Sequence, residues 1–252
     1  MFHGSLVPCA ERRIIKMEIR ASVAMAVCNG EKYIEQQIDT IVDMMASNDE
    51  LIISYDESKD RTLEIIRKYE KDDKRIKVVY DEGHSVESNF NNAVANCNGK
   101  YIFLADQDDV WINNKIDVMV NYFERHDRCV VLISDGYLSD ENLENIGELF
   151  ETYNASASAI RNFVKGTYLG CQMAFRATIT DKVWPVKVTP PLPHDLWLGV
   201  RGAHYGKVEL LNDKLIKHRL HTDNYSNTSK MKIWGVISNR AQFLGELLRR
   251  GK

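Results

Sequence analysis

The sequence predicts an α/β fold in which a mostly parallel central sheet carries helices on both faces. From Ala21 onward, a short apolar run is followed three times by a segment with apolar residues at helical spacing, and then by a fourth apolar run. Consecutive strand–helix units of this kind form parallel strands joined by right-handed crossovers. Polar residues come directly after three of the runs, and ligands bind beyond the carboxyl ends of such strands.

Four strands are predicted in the first half, each a short apolar run: Ala21–Cys28, Leu51–Ser54, Ile76–Tyr80 and Tyr101–Ala105. Apolar residues on one face mark the three intervening helices: Ile34, Ile38, Ile41, Val42 and Met45; Leu63, Ile66 and Tyr69; and Val86, Phe90, Ala93, Val94 and Cys97. Asp60 is placed to cap the second helix. The polar turns at residues 28–30, 55–60 and 106–109 should meet in one crevice.

The strand–helix alternation is lost after Asp135. Residues 141–159 are polar and weakly periodic, and several prolines interrupt the segment that follows. A helix is predicted from His194, and short strands are predicted at Lys207–Leu211 and Leu215–His218. We expect a loose extension at residues 1–16, one domain at 17–229 with halves 17–112 and 113–229, and a basic amphipathic helix at 230–252.

The composition is that of an ordinary globular protein. Of the 252 residues, 44% are hydrophobic and 27% are charged, and a net charge of -3 gives no overall attraction to nucleic acid. The five cysteines are scattered, which favours a reducing compartment over a disulfide framework or a zinc cluster. No apolar run approaches the roughly 20 residues of a membrane span, and the N-terminal segment lacks the order of a signal peptide. We therefore expect a cytoplasmic protein.

The acidic turn, Asp106-Gln107-Asp108-Asp109, follows an apolar strand. Three carboxylates within four residues repel one another unless a positive charge lies among them. Mg²⁺ or Mn²⁺, which prefer oxygen ligands and bridge to phosphates, would provide that charge. The alternative is a solvated acidic turn that caps the next helix, and these four residues alone favour neither interpretation.

Three further motifs are candidates for chemistry. Asp195, before a predicted helix with Trp197, is placed to act as a general base, although an ordinary helix N-cap is the more frequent role. The segment 218–221 offers two imidazoles and a guanidinium, suited to a diphosphate or a metal shell or to solvent alone. The segment 89–92 offers amides for a ribose or sugar, or a polar helical face.

The last predicted helix is basic, with six Lys or Arg residues against Glu246. Its apolar residues, together with Trp234, fall roughly on one face: Ile233, Ile237, Leu244 and Leu248. The common interpretation is a closing helix that packs on the domain and leaves its basic side in water. The alternative is a helix that rests on an anionic membrane surface, near a lipid-linked acceptor.

Taken in order, these motifs resemble glycosyltransferase family 2, the inverting transferases with the GT-A fold, and especially rhamnosyltransferase-like members of bacterial polysaccharide clusters. The resemblance runs from about Ser22 to Asn227 and rests on seven segments: Val23–Ile34, Ser54–Thr62, Asn89–Ala93, Phe103–Trp111, Gly170–Phe175, His194–Trp197 and His218–His221. It implies a GT-A fold whose first half binds a nucleotide sugar and whose second half binds the acceptor.

The resemblance also implies roles for individual residues. Asp195 would be the catalytic base, Asp108 and His221 would bind the metal, and Arg219 and His221 would hold the diphosphate or the loop over it. The nucleotide sugar would contact Val27, Asn29, Tyr55, Asp56, Asn89, Asn92, Asp106, Gln107 and Arg219. Supporting positions would be Asp109, Trp111, His194 and Trp197.

The implied reaction is a metal-dependent single displacement that inverts the anomeric carbon. The donor would be a UDP- or dTDP-sugar, such as dTDP-rhamnose, and the acceptor a saccharide or lipid-linked saccharide of surface polysaccharide, O-antigen or capsule synthesis. One departure concerns the base: Tyr55 stands where the family has an acid, and a tyrosine ring stacks but cannot accept the same hydrogen bond. Cys28 and Val27 replace a tyrosine and a threonine that are common in the family.

Three other interpretations compete with this one. The segment 106–110 also resembles the nucleophile motif of haloacid-dehalogenase-like phosphatases, but that motif closes the first strand of its fold, and here three units precede it. A nicotinamide-dependent dehydrogenase is disfavoured because the first strand leads to Gly30 alone and no Gly-rich loop. A non-catalytic nucleotide-sugar- or carbohydrate-binding relative is the third alternative, kept open by Tyr55.

Overall fold

The computed structural model describes residues 18–187, 192–222 and 233–250. The predicted extension at 1–16 lies outside these residues. The strands are β1 Ala21–Val27, β2 Glu50–Tyr55, β3 Ile76–Tyr80, β4 Tyr101–Asp106, β5 Val110–Trp111, β6 Cys129–Ser139, β7 Asn145–Glu148, β8 Met173–Arg176 and β9 Lys207–Arg219. The helices are α1 Ile34–Val42, α2 Thr62–Asp72, α3 Val86–Ala95, α4 Lys115–Arg125, α5 Leu149–Thr152, α6 Ala159–Lys165, α7 Thr180–Val183, α8 His194–Gly202 and α9 Ile233–Arg250.

One sheet runs through both halves of the chain, in the order β3-β2-β1-β4-β8-β6-β9-β5, with β7 paired to β6. Strands β1 to β4 pair in parallel with one another, as the strand–helix alternation predicts. Strand β8 is antiparallel to both β4 and β6, and it joins the first half to the second. The predicted α/β fold, with a curled and mostly parallel central sheet, is confirmed.

The two faces of the sheet bury separate apolar layers. Because side chains alternate along a strand, Val23, Met25 and Val27 of β1 face the layer that includes α1, while Ala24 faces the other layer, with Phe90 of α3. Burial on both faces requires a near-continuous apolar strand, which explains why the predicted strands could be read directly from sequence.

The strands of the second half differ from the prediction. The two short strands predicted at Lys207–Leu211 and Leu215–His218 form a single strand, β9. Its partner β6 had not been predicted, and the two pair in parallel with register shifts around Asp135. The register shifts include one at the polar residues between the two predicted strands, which local sequence indicates as a turn. Pairing with a distant strand overrides that local signal.

The C-terminal segment forms helix α9, as predicted, within residues 233–250. Its buried Phe243 lies edge-on to Trp197 of α8 and to Phe163 of α6, with ring centroids 5.1 Å and 5.5 Å apart. Over the part of the chain that the structure describes, no helix combines the length and the apolar character needed to cross a membrane. The boundaries of the predicted domain and of its halves stay a prediction.

Candidate active site

The polar turns at the ends of β1 and β4 are joined by the side-chain amide of Gln107. Its Oε1 accepts a hydrogen bond from the Cys28 amide at 2.9 Å, and its Nε2 donates to the Cys28 carbonyl at 2.8 Å. Ala26 of β1 lies opposite Asp106 of β4 in the sheet register, so both strands end at the same edge. Gln107 therefore fixes the shape of the crevice, while its predicted contact with a nucleotide sugar stays a prediction.

The ends of β1 and β2 are joined through Asn29, which has a left-handed backbone with φ 49°. The Asn29 amide donates to Ser58 Oγ at 2.9 Å, and its side-chain carbonyl accepts from the Lys59 amide at 2.8 Å. Asparagine adopts this conformation more readily than most residues because its short side chain bonds locally. The predicted convergence of the three turns is therefore present in the structure.

The acidic turn lies against the end of β9. Strand β5 pairs antiparallel with β9, with Val110 opposite Lys217, and this register brings Asp108 and Asp109 to the segment 218–221. The carboxylate of Asp108 lies 2.8 Å from Nε2 of His221. The two predicted metal ligands are thus in direct contact. A metal cation bound here would be held by both side chains.

Arg219 holds loops together in the structure. Its Nε donates to the Asp108 carbonyl at 2.9 Å, and its two terminal nitrogens donate to the Glu141 carbonyl and to Gln36 Oε1 at 2.7 Å and 2.6 Å. The guanidinium also lies over the ring of Tyr33, 4.6 Å from its centroid. These contacts match the second of its two predicted roles, to hold the loop, whereas contact with a diphosphate stays a prediction.

Asp109 and His218 form a buried pair behind the Asp108–His221 contact. Asp109 Oδ1 lies 2.8 Å from His218 Nδ1 and also accepts the Arg219 amide at 3.1 Å. Burial acts to lower the pKa of His218, but the charge and hydrogen bond of Asp109 together with the charges of Asp106 and Asp108 outweigh it and raise that pKa to about 9. Burial acts to raise the pKa of Asp109, yet the charge of His218 together with the hydrogen bonds from His218 and the Arg219 amide holds that pKa low.

Positive charge is needed around Asp106. Its burial, and then the negative charges of Asp109 and Asp108, raise its pKa to about 8. Lys115, fully buried at the start of α4, donates to the Cys171 carbonyl and lies 4.5 Å from the centroid of the Trp111 ring. Burial lowers the pKa of Lys115 to about 8, against the attraction of the nearby carboxylates.

The donor set fits a divalent cation. Besides the Asp108–His221 pair, one ligand atom each from Asp109, Cys171 and His218 lie within 4.8 Å of one another. Asp109 Oδ2 is buried and has no hydrogen-bond partner among the described residues. Carboxylates that are crowded, buried and partly unsatisfied are stabilised by a bound cation, and the chain therefore has a possible metal site here.

Two asparagines of α3 form hydrogen bonds to the ends of β1 and β2, on the predicted nucleotide side of the crevice. Asn89 Nδ2 donates to the Val27 carbonyl at 3.0 Å, and Asn92 Nδ2 donates to Ser54 Oγ at 2.8 Å. Asn89 Oδ1 is buried without a partner among the described residues. Both amides hold strand ends in place, and only the free Asn89 oxygen is left for a further contact.

Tyr55 does not present a stacking face in this structure. Its ring is only 6% exposed, lies edge-on to Tyr80, and its hydroxyl accepts the Ser58 amide at 3.0 Å. The hypothesis that its face stacks on a base is therefore not met by this arrangement. The next residue, Asp56, pairs with Nδ1 of His84 at 2.6 Å, so a carboxylate is present one position later.

Asp195 lies in the first turn of α8, where its Oδ1 accepts the Leu196 amide at 2.6 Å. Its negative charge affects the pKa of three other groups. Burial and then Asp195 raise the pKa of Glu87, Asp195 contributes to the raised pKa of Asp106, and it opposes the burial that lowers the pKa of Arg240. Asp195 is therefore near enough to Glu87, Asp106 and Arg240 for its charge to act on them.

The aromatic residues predicted to support the site are buried. Trp197 donates from Nε1 to the Val183 carbonyl at 2.6 Å, and Trp111 is 1% exposed beside Lys115. His194 stacks on Phe90 with ring centroids 4.2 Å apart, and burial lowers its pKa. These side chains fix α8 and β5 rather than line the crevice.

Sequence reasoning missed several residues around the crevice: Glu87, Lys115, Cys171, His218 and Arg240. A lysine or glutamate at a helical position reads as solvated, because periodicity does not report which charged side chain is buried. His218 was noted within its motif but not assigned a role. The antiparallel pairing of β5 with β9 is the signal that would have found it.

The sequence was compared with known proteins. It is 28% identical over 225 residues to an uncharacterized glycosyltransferase of Methanocaldococcus jannaschii, covering 86% of this chain and 77% of that protein. It is 33% identical over 102 residues to the putative teichuronic acid biosynthesis glycosyltransferase TuaG of Bacillus subtilis, covering 40% of each chain.

Solved structures share the fold. S. aureus TarS 1–349, in complex with UDP-GlcNAc, has a TM-score of 0.65 at 17% identity, covering 92% of this chain and 72% of that one. The mannosyltransferase PcManGT of Pyrobaculum calidifontis, in complex with GDP-Man and Mn²⁺, has a TM-score of 0.60 at 15% identity, covering 94% and 66%. At these identities the likeness shows the fold alone.

A model of the family described as Glycosyl transferase family 2 matches residues 22–184, more than half of the chain. The matched range contains the acidic turn, the three strand–helix units before it and strand β8. The family match leaves the phosphatase alternative without support. The chain therefore belongs to glycosyl transferase family 2.

Proposed function

We propose that this protein transfers one sugar from a nucleoside-diphosphate donor to a hydroxyl of a saccharide acceptor, with inversion at the anomeric carbon. The observation that carries the proposal is the contact of Asp108 with His221 beyond the parallel strands. Asp195 is near enough to Asp106 for their charges to interact, which supports a site with metal ligands toward the donor and a carboxylate toward the acceptor.

Asp108 and His221 would hold Mn²⁺ or Mg²⁺, with Asp106 and Asp109 nearby. The cation would supply positive charge for the leaving diphosphate. An imidazole ligand favours Mn²⁺, because Mg²⁺ is bound almost entirely through oxygen. Metal dependence in this family is supported by the solved structure of PcManGT with GDP-Man and Mn²⁺.

Asp195 would act as the general base. The acceptor oxygen forms a bond to the anomeric carbon, the bond from that carbon to the diphosphate oxygen breaks, and the acceptor proton goes to the Asp195 carboxylate. The Leu196 amide donates to that carboxylate at 2.6 Å and holds it in the first turn of α8. Gln107, Asn29, Asn89 and Asn92 shape the donor side by holding the strand ends.

For the donor we propose a UDP- or dTDP-sugar, with dTDP-rhamnose as one member of the panel below. For the acceptor we propose a saccharide or lipid-linked saccharide of surface polysaccharide, O-antigen or capsule synthesis, supported by the similarity to the putative teichuronic acid biosynthesis glycosyltransferase TuaG. The protein would act in the cytoplasm, with peripheral membrane contact through α9 and no nucleic-acid partner.

A donor panel tests the proposal. Release of nucleoside diphosphate from each sugar nucleotide is measured with Mn²⁺, with Mg²⁺ and with a chelator, using simple saccharides as acceptors. Release from one donor, lost with the chelator and in Asp108→Ala, is the expected result. Asp72→Ala, which removes an exposed acid at the end of α2, is the matched control and should retain activity.

The second candidate is a binding protein without turnover, and one observation favours it. Tyr55 occupies the position of the family's base-contacting acid, and its buried ring leaves that position without a hydrogen-bond acceptor toward the base. Calorimetry with the same donors separates the two functions. Donor binding in the absence of turnover with every acceptor would favour the binding protein.

A further inference from the structure

The outward face of helix α9 is apolar. Besides Arg249, its exposed positions at successive helical turns are Ala241, Leu244, Gly245 and Leu248, with Leu244 47% and Leu248 75% exposed. The buried side of the same helix holds Phe243 and the carboxylate of Glu246. A helix on the surface of a globular domain ordinarily shows polar residues to solvent. Over these turns of α9, the acidic side chain of Glu246 is buried, whereas Leu244 and Leu248 are exposed to solvent.

The neighbouring helix α6 repeats the pattern. Ile160 and Val164, four residues apart on one face, are 81% and 65% exposed. The two helices are in contact, because the ring of Phe163 lies against that of Phe243 and beneath the guanidinium of Arg240. We call the outward side chains of α6 and α9 the two-helix surface: Ile160, Val164, Ala241, Leu244 and Leu248.

The charges around the two-helix surface have one sign. Helix α6 contains Arg161 and Lys165 and has no acidic residue. In the described part of α9 the one acid, Glu246, is 4% exposed and paired with Arg249, whose own side chain is 69% exposed. The exposed apolar residues are therefore flanked by cations, without an exposed carboxylate on either helix.

The position of this surface relates it to the candidate active site. Phe243 packs on Trp197 of α8, the helix whose first turn carries Asp195. Arg240, one turn before Phe243, is close enough to Asp195 for their charges to interact. The two-helix surface thus forms the outer side of the layer that positions the proposed base.

We propose that the two-helix surface rests on an anionic lipid bilayer. The leucines, Ile160 and Val164 would enter the boundary between head groups and acyl chains, and the flanking Arg and Lys side chains would contact lipid phosphates. Interspersed apolar and basic residues without exposed acids are the pattern of interfacial helices, and anionic head groups complement their charge. Membrane binding itself does not depend on the proposed function. Only its purpose, the delivery of a lipid-linked acceptor toward Asp195, rests on that function.

Sedimentation with vesicles tests this proposal on the full chain. Binding is compared between vesicles of phosphatidylcholine and vesicles with about a third of phosphatidylglycerol, at low and at raised salt. The variant is Val164→Ser with Leu248→Ser, two exposed positions whose change leaves the buried contacts intact. Ile146→Ser is the matched control, because Ile146 in β7 is 58% exposed and lies outside the two-helix surface.

We expect binding to the anionic vesicles only, weakened by salt, about tenfold weaker in the double variant and unchanged in Ile146→Ser. Equal binding of the double variant, or no binding of the parent protein to anionic vesicles, would overturn the proposal. So would a parent dimer that the double variant dissociates in sedimentation equilibrium, since a second copy would then cover the surface.

The same samples keep this inference separate from the proposed function. Nucleoside-diphosphate release with a soluble acceptor is measured without vesicles. The double variant should match the parent, because neither substituted residue lies at the crevice. Vesicle binding without any turnover would contradict the transferase proposal and leave the membrane surface standing, whereas turnover without vesicle binding would do the reverse.

Discussion

The carboxylate of Asp108 lies 2.8 Å from Nε2 of His221, although the two residues are 113 positions apart in the sequence. The contact lies in the crevice at the end of the parallel strands. It joins the first half of the chain to the segment that follows β9. The ring of His221 also lies near Tyr33, with centroids 4.8 Å apart, which limits its rotation. An imidazole whose rotation is limited is oriented to bind a cation together with the carboxylate.

Removal of the His221 imidazole should weaken metal activation. His221→Ala is expected to raise the Mn²⁺ concentration for half-maximal nucleoside-diphosphate release by about 10- to 100-fold, the usual effect of a lost metal-site contact. A Mn²⁺ titration of activity measures it. Asp108→Asn should have a similar effect, and the double variant should lose less than the product of both, because the residues serve one ion. An unchanged titration curve in His221→Ala would remove His221 from the ligand set.

Replacement of Asp195 by asparagine should separate binding from chemistry. Asp195→Asn keeps the size of the side chain and removes the proton acceptor, so transfer should fall by about 10²- to 10⁴-fold. The donor Kd, measured by calorimetry with Mn²⁺, should stay within about twofold, since the role proposed for Asp195 is toward the acceptor. Full transfer activity in this variant would mean that another group accepts the proton.

The stereochemical outcome is a separate test of the mechanism. A single displacement from the face opposite the diphosphate inverts the anomeric carbon, so an α-linked donor should give a β-linked product, and the reverse. Proton NMR of the first product formed reads the configuration directly. Retention would rule out the role proposed for Asp195.

The buried pair of His218 and Asp109 should make stability depend on pH. The pKa of His218 is raised to about 9 in the folded protein, against about 6.5 in an unfolded chain. The stabilisation from its protonated ring is therefore complete below about pH 6.5 and is lost as the pH rises through about 9. His218→Gln should reduce the free energy of unfolding by about 3 to 5 kcal/mol at pH 6, and by less at pH 9.

Urea unfolding of both proteins at several pH values, without added metal, measures that difference. The comparison of parent with variant cancels groups that titrate in both, including Lys115. His126→Gln is the matched control, because His126 is an exposed histidine after α4 and should give no pH-dependent difference. A gap between parent and His218→Gln that stays constant from pH 6 to pH 9 would contradict the protonated pair.

Asp56 rather than Tyr55 should contact the nucleotide. Asp56→Asn is expected to raise the donor Kd about tenfold, the effect of one lost hydrogen bond to a charged group. Tyr55→Phe should change it less than about threefold, because the hydroxyl bonds the Ser58 amide inside the turn. Calorimetry with UDP and with a purine diphosphate measures both constants. A larger effect of Tyr55→Phe than of Asp56→Asn would assign base contact to the tyrosine.

The sequence by itself determined the first half of this protein. Strands buried on both faces are near-continuous apolar runs, and helices repeat every three to four residues, so β1 to β4 and their helices could be read locally. The order of the strands then placed the turns after β1, β2 and β4 in one crevice. The roles predicted for the acidic turn and for Asp195 came instead from seven motifs in family order, since each motif alone has a common structural use.

Only the tertiary structure decided which charged side chains are buried beside that turn. The antiparallel pairing of Val110 with Lys217 places His218 on Asp109 and Arg219 on the Asp108 carbonyl. Lys115 is fully buried at a helical position that sequence assigns equally well to solvent. Burial and pKa depend on contacts between residues distant in the chain, and local periodicity carries no information about which of these contacts form.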